Sequence, residues 1–233
     1  MNLLLISNST NAGEPYLQYP MAEIAKTFAG VKEVVFIPYA AVTFSYAEYE
    51  RRVQERFSAL GIRVRSIHRS PNPRIMIRHA EAICIGGGNT FALLKKMQDQ
   101  KLLSAIMRRL EAGVPYVGWS AGSNVCAPTI CTTNDMPIVE PDSFSAIGAV
   151  KFQINPHYLD ANPAGHAGET REQRILEYIE ANPRRYVVGL REGCMLRLQD
   201  GKLTLIGEKP MRLFKKGQPT IELTKEDDLS FLL

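Results

Sequence analysis

Residues 114–123, Val-Pro-Tyr-Val-Gly-Trp-Ser-Ala-Gly-Ser, constrain the fold more than any other stretch of this chain. The first half is β-branched, aromatic and apolar, which predicts a buried strand. The second half, Ala121 to Ala127, predicts a helix. Ser120 stands between them in the spacing Gly-x-Ser-x-Gly. A strand that hands over directly to a helix holds its junction residue on a sharp turn, with φ > 0 and about 1–3 kcal/mol of strain. Flanking glycines suit that turn because a Cβ would collide with the folded backbone. The hydroxyl is then lifted clear of the sheet at the positive end of a helix. There a nucleophile can attack a carbonyl and the resulting oxyanion can be stabilised. The competing reading is a glycine-rich turn with a passive serine.

The rest of the chain supplies the sheet that such a turn needs. Strands are predicted at Asn2–Ser7, Val34–Pro38, Ile62–Ile67, Ala82–Ile85, Val150–Ile154 and Tyr186–Leu190. Between them run helical patterns: Leu17, Met21, Ile24 and Phe28, stopped by Gly30; Val53, Phe57 and Leu60 behind the capping box Ser45-x-x-Glu48; Phe91, Leu94 and Met97; roughly Lys101 to Ala112; and Ile175, Leu176 and Ile179 behind Thr170-x-x-Gln173. Cys194–Leu198, Asp200-Gly201 and Leu203–Ile206 read as an antiparallel hairpin. Regular alternation of strand and helix predicts one α/β domain over residues 1–233: a doubly wound, mostly parallel sheet, helices on both faces, and a C-terminal antiparallel extension. Ligands bind such sheets at the C-terminal strand ends. Both Ser120 and Gly86-Gly87-Gly88 fall there. Residues 128–148 lose all periodicity, as an active-site wall would.

Composition narrows the class. With 233 residues, 45% hydrophobic and 22% charged, the chain can bury a large core. The apolar run Leu3–Ile6 lacks the basic segment and cleavage site of a signal peptide, and no run approaches membrane-spanning length. The four cysteines show no CxxC pair, so neither a zinc site nor a redox centre is expected, and free thiols in the cytoplasm are. The net charge of +4 gathers partly at Arg63, Arg65, Arg69, Arg74 and Arg78. No aromatic interleaving or recognition motif accompanies them, so a solvated edge is expected and a nucleic-acid surface is not.

A serine hydroxyl needs a base. Of His68, His79, His157 and His166, only His157 sits directly past a predicted strand end, stiffened by Pro156. The base in turn needs an acceptor that fixes its tautomer. Glu192, in a glycine-bounded turn after a strand, is the first choice and Asp135 the second; Asp160 is also available. The order Ser…His…Glu departs from the Ser…acid…His order of α/β-hydrolases. Two N–H groups must receive the oxyanion: Ala121, after the serine, and Gly88, in the unencumbered glycine loop. That loop lacks the spacings of nucleotide-binding motifs. Arg171 and Arg174 stand in the first turn of a helix, where the dipole disfavours cations. They read either as a receptor for a substrate carboxylate or as surface partners of Glu169, Glu172 or Glu177.

Gly86-Gly87-Gly88-Asn89-Thr90-Phe91, Gly118-Trp119-Ser120-Ala121-Gly122, Asn155-Pro156-His157 and Leu190-Arg191-Glu192-Gly193 together resemble the signature segments of the peptidase E family of α-aspartyl dipeptidases. Ser7-Asn8-Ser9-Thr10 and Pro15-Tyr16-Leu17 fit as well. The resemblance implies the fold of class I glutamine amidotransferases, with serine where those enzymes carry cysteine. It implies hydrolysis of dipeptides with an N-terminal aspartate, without metal or other cofactor, in the bacterial cytoplasm. Ser120 would be nucleophile and His157 base. Glu192 or Asp135 would be the third member, and Arg171, with Asn89, would bind substrate. A homodimer is the candidate assembly. Two alternatives stand beside it: a cyanophycinase-like hydrolase acting on β-Asp-Arg polymer, and a catalytically inactive amidotransferase-like binding module.

Overall fold

The computed structural model describes residues 1–162, 165 and 167–233. In chain order the elements are β1 (Asn2–Ile6), α1 (Met21–Thr27), β2 (Glu33–Ile37), α2 (Tyr46–Ser58), β3 (Arg63–Ser66), α3 (Pro73–Arg78), β4 (Ile83–Ile85), α4 (Thr90–Asp99), α5 (Leu103–Glu111), β5 (Tyr116–Trp119), α6 (Ala121–Asn124), β6 (Gln153–Tyr158), α7 (Arg171–Ala181), β7 (Tyr186–Arg191), β8 (Met195–Gln199), β9 (Lys202–Ile206), β10 (Met211–Lys215) and β11 (Ile221–Leu223).

Seven strands form one sheet in the order β3-β2-β4-β5-β1-β8-β9. The first five pair in parallel, and β8 and β9 add antiparallel to β1. Leu3 to Ile6 are all fully buried. A strand covered on both faces reads as a continuous apolar run, and alternate residues serve opposite layers. Leu3, Leu5, Ile83 and Ile85 join one core cluster, with Leu93 and Leu94 of α4 and Ile106 of α5. Leu4, Ile6, Phe36 and Trp119 join a second, with Ile24 of α1 and Val53 and Phe57 of α2. The sheet is thus sandwiched between helical layers, as the alternating pattern predicts. The hairpin turn Asp200-Gly201 has φ of 52° and 74°, the mirror-image turn that matches strand twist.

Four strands depart from the single-sheet expectation. β6, β7, β10 and β11 form a separate sheet in the order β11-β10-β7-β6, with β6 and β7 parallel. Ile154, Val188 and Leu190 of this sheet enter the same core cluster as Leu3 and Leu5. Only the β8–β9 hairpin is therefore an edge extension of the main sheet.

Local boundaries shift for physical reasons. The first helix starts at Met21 rather than Leu17, because Pro20 occupies its N-cap position and Leu17, at φ 53°, donates its N–H back to the Ser9 carbonyl (2.8 Å). α6 is a single turn and stops at Asn124. β6 begins later than predicted and runs through Asn155-Pro156-His157. Proline is tolerated there because β6 is an edge strand with a register irregularity between Pro156 and Tyr158. Residues 128–148 form no strand or helix. They cover the exposed edge of β6 through side chains: Thr132 Oγ1 donates to the Ile154 carbonyl (2.8 Å) and Asn134 Nδ2 to that of Pro156 (2.7 Å).

On the basic edge, Arg63 and Arg65 lie 3.6 and 3.0 Å from Glu33, and Arg69 lies 2.6 Å from Glu50. Among the described residues no helix is long and apolar enough to cross a membrane.

Candidate active site

Ser120 links β5 to α6 at φ 53° and ψ −114°, a conformation that L residues avoid. Its N–H donates to the Ile6 carbonyl (3.0 Å), and its own carbonyl accepts from Ser123 and Asn124 (both 2.9 Å). The flanking glycines make room for this. A Cβ on Gly118 would lie 2.5 Å from the Gly122 carbonyl oxygen, and one on Gly122 would lie 2.1 Å from that of Ile85. Because α6 has only one turn, stabilisation of an anion here rests on individual N–H groups rather than on a long helix dipole.

His157 faces this serine from the second sheet. Its φ of 54° falls at the β6 irregularity and re-aims the ring. Nε2 lies 3.0 Å from Ser120 Oγ, and Nδ1 lies 2.6 Å from Glu192 Oε1. A carboxylate can only accept, so Nδ1 carries the proton and Nε2 presents its lone pair to the hydroxyl. Glu192 follows β7 directly, and the turn is closed by Gly193 at φ 86°.

Two residues at the end of β1 hold both partners. The fully buried Ser7 hydroxyl accepts from the His157 N–H (2.9 Å) and donates to the Leu190 carbonyl (2.8 Å). Asn8 Oδ1 accepts from the Gly193 N–H (2.8 Å) and from the Tyr19 hydroxyl (2.7 Å). The sequence reading missed both. The signal was present, since they are polar residues immediately after a buried strand.

The other acceptors lie elsewhere. Asp135 is not on the imidazole. Its Oδ2 accepts from the Thr90 N–H (2.7 Å) and hydroxyl (2.5 Å), anchoring the start of α4. Asp160 takes the Arg191 guanidinium at 2.9 and 2.5 Å, and that hydrogen bond holds its carboxyl below the ordinary value. Arg191, nearly buried, also binds Glu222 (2.7 and 2.8 Å), which braces the base of the Glu192 turn. The substrate-binding expectation for Asn89 meets a competing duty. Its Oδ1 caps α4 through the Ala92 N–H (3.0 Å), and its Nδ2 donates to the Met136 carbonyl (2.8 Å). Each end of the amide thereby holds one protein partner.

Of the remaining histidines, His68 bonds Ser66 Oγ (2.6 Å), and its pKa is lowered chiefly by burial, with Arg69 a lesser cause. His79 ends α3, and His166 lies outside the described residues.

Gly88, at φ +134°, packs so closely that a Cβ would sit 2.3 Å from the Ala40 carbonyl oxygen. Its loop is pinned by the Tyr49 hydroxyl on the Gly87 carbonyl (2.9 Å). Among the described residues, neither the Gly88 nor the Ala121 N–H donates to a protein acceptor.

Arg171 is the first residue of α7, placed there by the Thr170–Gln173 capping box. Among the described residues no carboxylate lies within 4.0 Å of it, whereas Arg174 is 3.7 Å from Glu169 and Glu172 binds Arg212 at 3.0 Å. Burial lowers its pKa, Arg174 adds to this, and Asp135 opposes it. Arg171, Thr90, Thr133 and Asp135 line a cleft of about 330 Å³ that also exposes Ser120 and His157. A larger cleft of about 700 Å³ opens on Ser120 and His157 beside Tyr16, Phe44, Tyr49 and Trp119. Among the described residues no group of three His, Cys, Asp or Glu side chains is placed to hold a metal ion.

A family model described as Peptidase family S51 matches residues 3–206. The chain belongs to peptidase family S51. As an S51 member it is a serine-type peptidase. It is 50% identical to a peptidase E from Nostoc sp. over 233 residues, covering 99% of this chain and 96% of that protein. It is 46% identical to a peptidase E from Shewanella amazonensis over 230 residues, 99% of this chain and 98% of the other. The crystal structure of a peptidase from an acI-B1 actinobacterium superposes with a TM-score of 0.70 at 16% identity, covering 99% of this chain and 96% of that one, and so shares its fold. The S51 match ends at Ile206, so β10, β11 and Glu222 lie beyond it.

Proposed function

We propose that this S51 peptidase hydrolyses dipeptides with an N-terminal aspartate through an acyl-enzyme on Ser120. The observation that carries the proposal is a half-buried Arg171 without a carboxylate partner among the described residues, in one cleft with Ser120 and His157. A guanidinium left unpaired at a helix start is a ready receptor for a carboxylate, which it can bind with two parallel hydrogen bonds. The aspartate side chain enters this cleft, and its backbone carbonyl reaches Ser120.

His157 Nε2 accepts the Ser120 proton as Oγ attacks that carbonyl carbon. The carbonyl oxygen becomes an oxyanion, received by the Gly88 and Ala121 N–H groups. Glu192 keeps the Nδ1 proton in place and offsets the imidazolium charge. His157 then gives its proton to the departing amine, and the C–N bond breaks. Water, deprotonated by the same imidazole, releases aspartate and restores the hydroxyl. The relatives named peptidase E support this substrate class. Four free cysteines, three of them buried, favour a reducing compartment such as the cytoplasm.

The test is a dipeptide panel. Wild type should release aspartate from Asp-Leu and ignore Leu-Leu and β-Asp-Arg polymer, and Ser120→Ala should be inert. Arg171→Ala should lose about 100-fold or more in kcat/KM on Asp-Leu, consistent with a lost charged hydrogen bond of about 1.5–3 kcal/mol and an unpaired substrate charge. Activity surviving in Ser120→Ala, or an unchanged preference in Arg171→Ala, would overturn the proposal.

A further inference from the structure

Ser120 and His157 stand on the walls of two clefts, and only the polar one has been given a ligand. In acyl transfer the two halves of the substrate leave the reacting carbon in different directions. If aspartate fills the cleft of Arg171, the amine half lies in the other. This step rests on the aspartyl-dipeptidase reading.

The larger cleft has a distinct chemistry. Tyr16, Phe44, Tyr49 and Trp119 give it an aromatic wall, rigidified by edge-on contacts of Tyr16 with Trp119 (6.3 Å) and of Phe44 with Tyr49 (5.2 Å). Its charged residues are Arg52, Glu55, Arg56 and Asp135. Arg52 is bound to Glu48 and Glu55 to Arg51, each within one turn of α2. Asp135 is engaged at α4. Arg56 differs from these. Among the described residues no carboxylate lies within 4.0 Å of it, its one side-chain hydrogen bond is from Nη2 to the neutral Gln18 Oε1 (2.5 Å), and its Nε is buried without any partner. Its Nη1 is not among the buried atoms and bonds no partner among the described residues, so the guanidinium can still present donors to a carboxylate in the cleft.

We propose that this cleft is the leaving-group site, that it selects a residue with a large apolar side chain, and that Arg56 binds the free α-carboxylate of that residue. The aromatic wall takes the side chain. The cation takes the one charge that distinguishes the end of a dipeptide from the interior of a longer peptide. Two arginines, Arg171 and Arg56, would then bracket the scissile bond and read the two carboxylates of an Asp-X substrate.

The experiment compares Asp-Leu with Asp-leucinamide, which lacks the terminal charge, and with Asp-Gly, which lacks the side chain. Wild type should favour Asp-Leu over each by about 10- to 100-fold in kcat/KM. Arg56→Gln should lose that factor on Asp-Leu, chiefly through KM, while its rate on Asp-leucinamide stays within about two-fold of wild type. Arg56→Lys should recover part of the preference. Arg65→Gln, an arginine paired with Glu33 away from both clefts, should leave it intact.

The carboxylate assignment is overturned if wild type treats acid and amide alike, or if Arg56→Gln keeps the preference or lowers both substrates equally. Equal rates on Asp-Leu and Asp-Gly overturn the apolar part. Failure of the underlying reading looks different: wild type would cleave neither Asp-Leu nor Asp-leucinamide, or would accept Ala-Leu as readily, before any Arg56 variant is made.

Discussion

Replacing Ser7 by alanine removes one hydroxyl that touches no substrate in the proposed mechanism, yet both activity and stability should fall. The hydroxyl is fully buried and makes two bonds, accepting the His157 N–H at 2.9 Å and donating to the Leu190 carbonyl at 2.8 Å. Losing both takes one partner from a part-buried amide and one from a buried carbonyl. At about 1–3 kcal/mol per group that loses its partner, the expected loss of folding stability for the two is about 2–6 kcal/mol. The catalytic effect follows from strain. His157 is held at φ 54°, which costs about 1–3 kcal/mol and persists only because its surroundings fix it. Without Ser7 the backbone can relax at the β6 irregularity, and the imidazole swings off the 3.0 Å line to Ser120. A displacement near 1 Å costs on the order of 100-fold. We expect kcat on Asp-Leu to fall about 10- to 100-fold with KM within two-fold, measured well below the unfolding temperature, and the urea midpoint to fall in parallel. A variant that loses the stability but keeps the full kcat would refute the reasoning, because Ser7 would then be fold scaffolding alone.

Three further predictions separate the acidic residues. Glu192→Gln should lower kcat by about 10³- to 10⁴-fold, because an amide no longer fixes the Nδ1 tautomer or offsets the imidazolium, while thermal stability stays nearly unchanged. Asp135→Asn should do the reverse, lowering the melting point through α4 and costing far less in kcat; single-turnover rates and calorimetry on the pair decide it. The Asp160–Arg191 pair should appear in acid. A carboxyl held below its ordinary value contributes stability above the usual carboxylate range and surrenders it as the pH falls through the lowered value. The urea midpoint of wild type should therefore decline below about pH 4, and Asp160→Asn should flatten that limb.

Much of this arrangement is legible in the sequence, and the illegible parts share a cause. Ser120 is marked by its flanking glycines because the constraint is local: a Cβ has no room 2.1 Å from a carbonyl oxygen. Glu192 is marked by its place between a strand and Gly193. The parallel layers are marked by fully apolar strands such as Leu3–Ile6. Asp135 and Asn89 are ambiguous in the sequence because an acidic or amide side chain in a glycine-rich loop looks alike whether it faces a ligand or caps a helix. The deciding partners, Thr90 Oγ1 and the Met136 carbonyl, become neighbours only on folding. The second sheet is hidden for a similar reason. A strand containing Asn155-Pro156-His157 carries too few apolar residues to show its pairing with β7, and its outer edge is covered by the side chains of Thr132 and Asn134 in a segment without periodicity.

That hidden sheet is what makes the relay adjustable. Ser120 is fixed to the first sheet by its N–H on Ile6, whereas His157 and Glu192 ride on β6 and β7 of the second. The distance across the relay is therefore a distance between two sheets, set by whatever ties them together. Ser7 and Asn8 are such ties, and both leave the end of β1, the same strand that anchors Ser120. One strand end thus references all three groups. A change that lets the second sheet shift as a body, such as loss of the buried hydrogen bond from Asn124 Nδ2 of α6 to the Ile154 carbonyl of β6 (2.7 Å), should move base and acid together and lengthen only the Nε2–Oγ contact. Asn124→Ala should consequently lower kcat while leaving the histidine–glutamate hydrogen bond intact, visible as an unchanged low-field Nδ1 proton resonance. A variant in which that resonance vanishes would show instead that the two partners on the second sheet move independently.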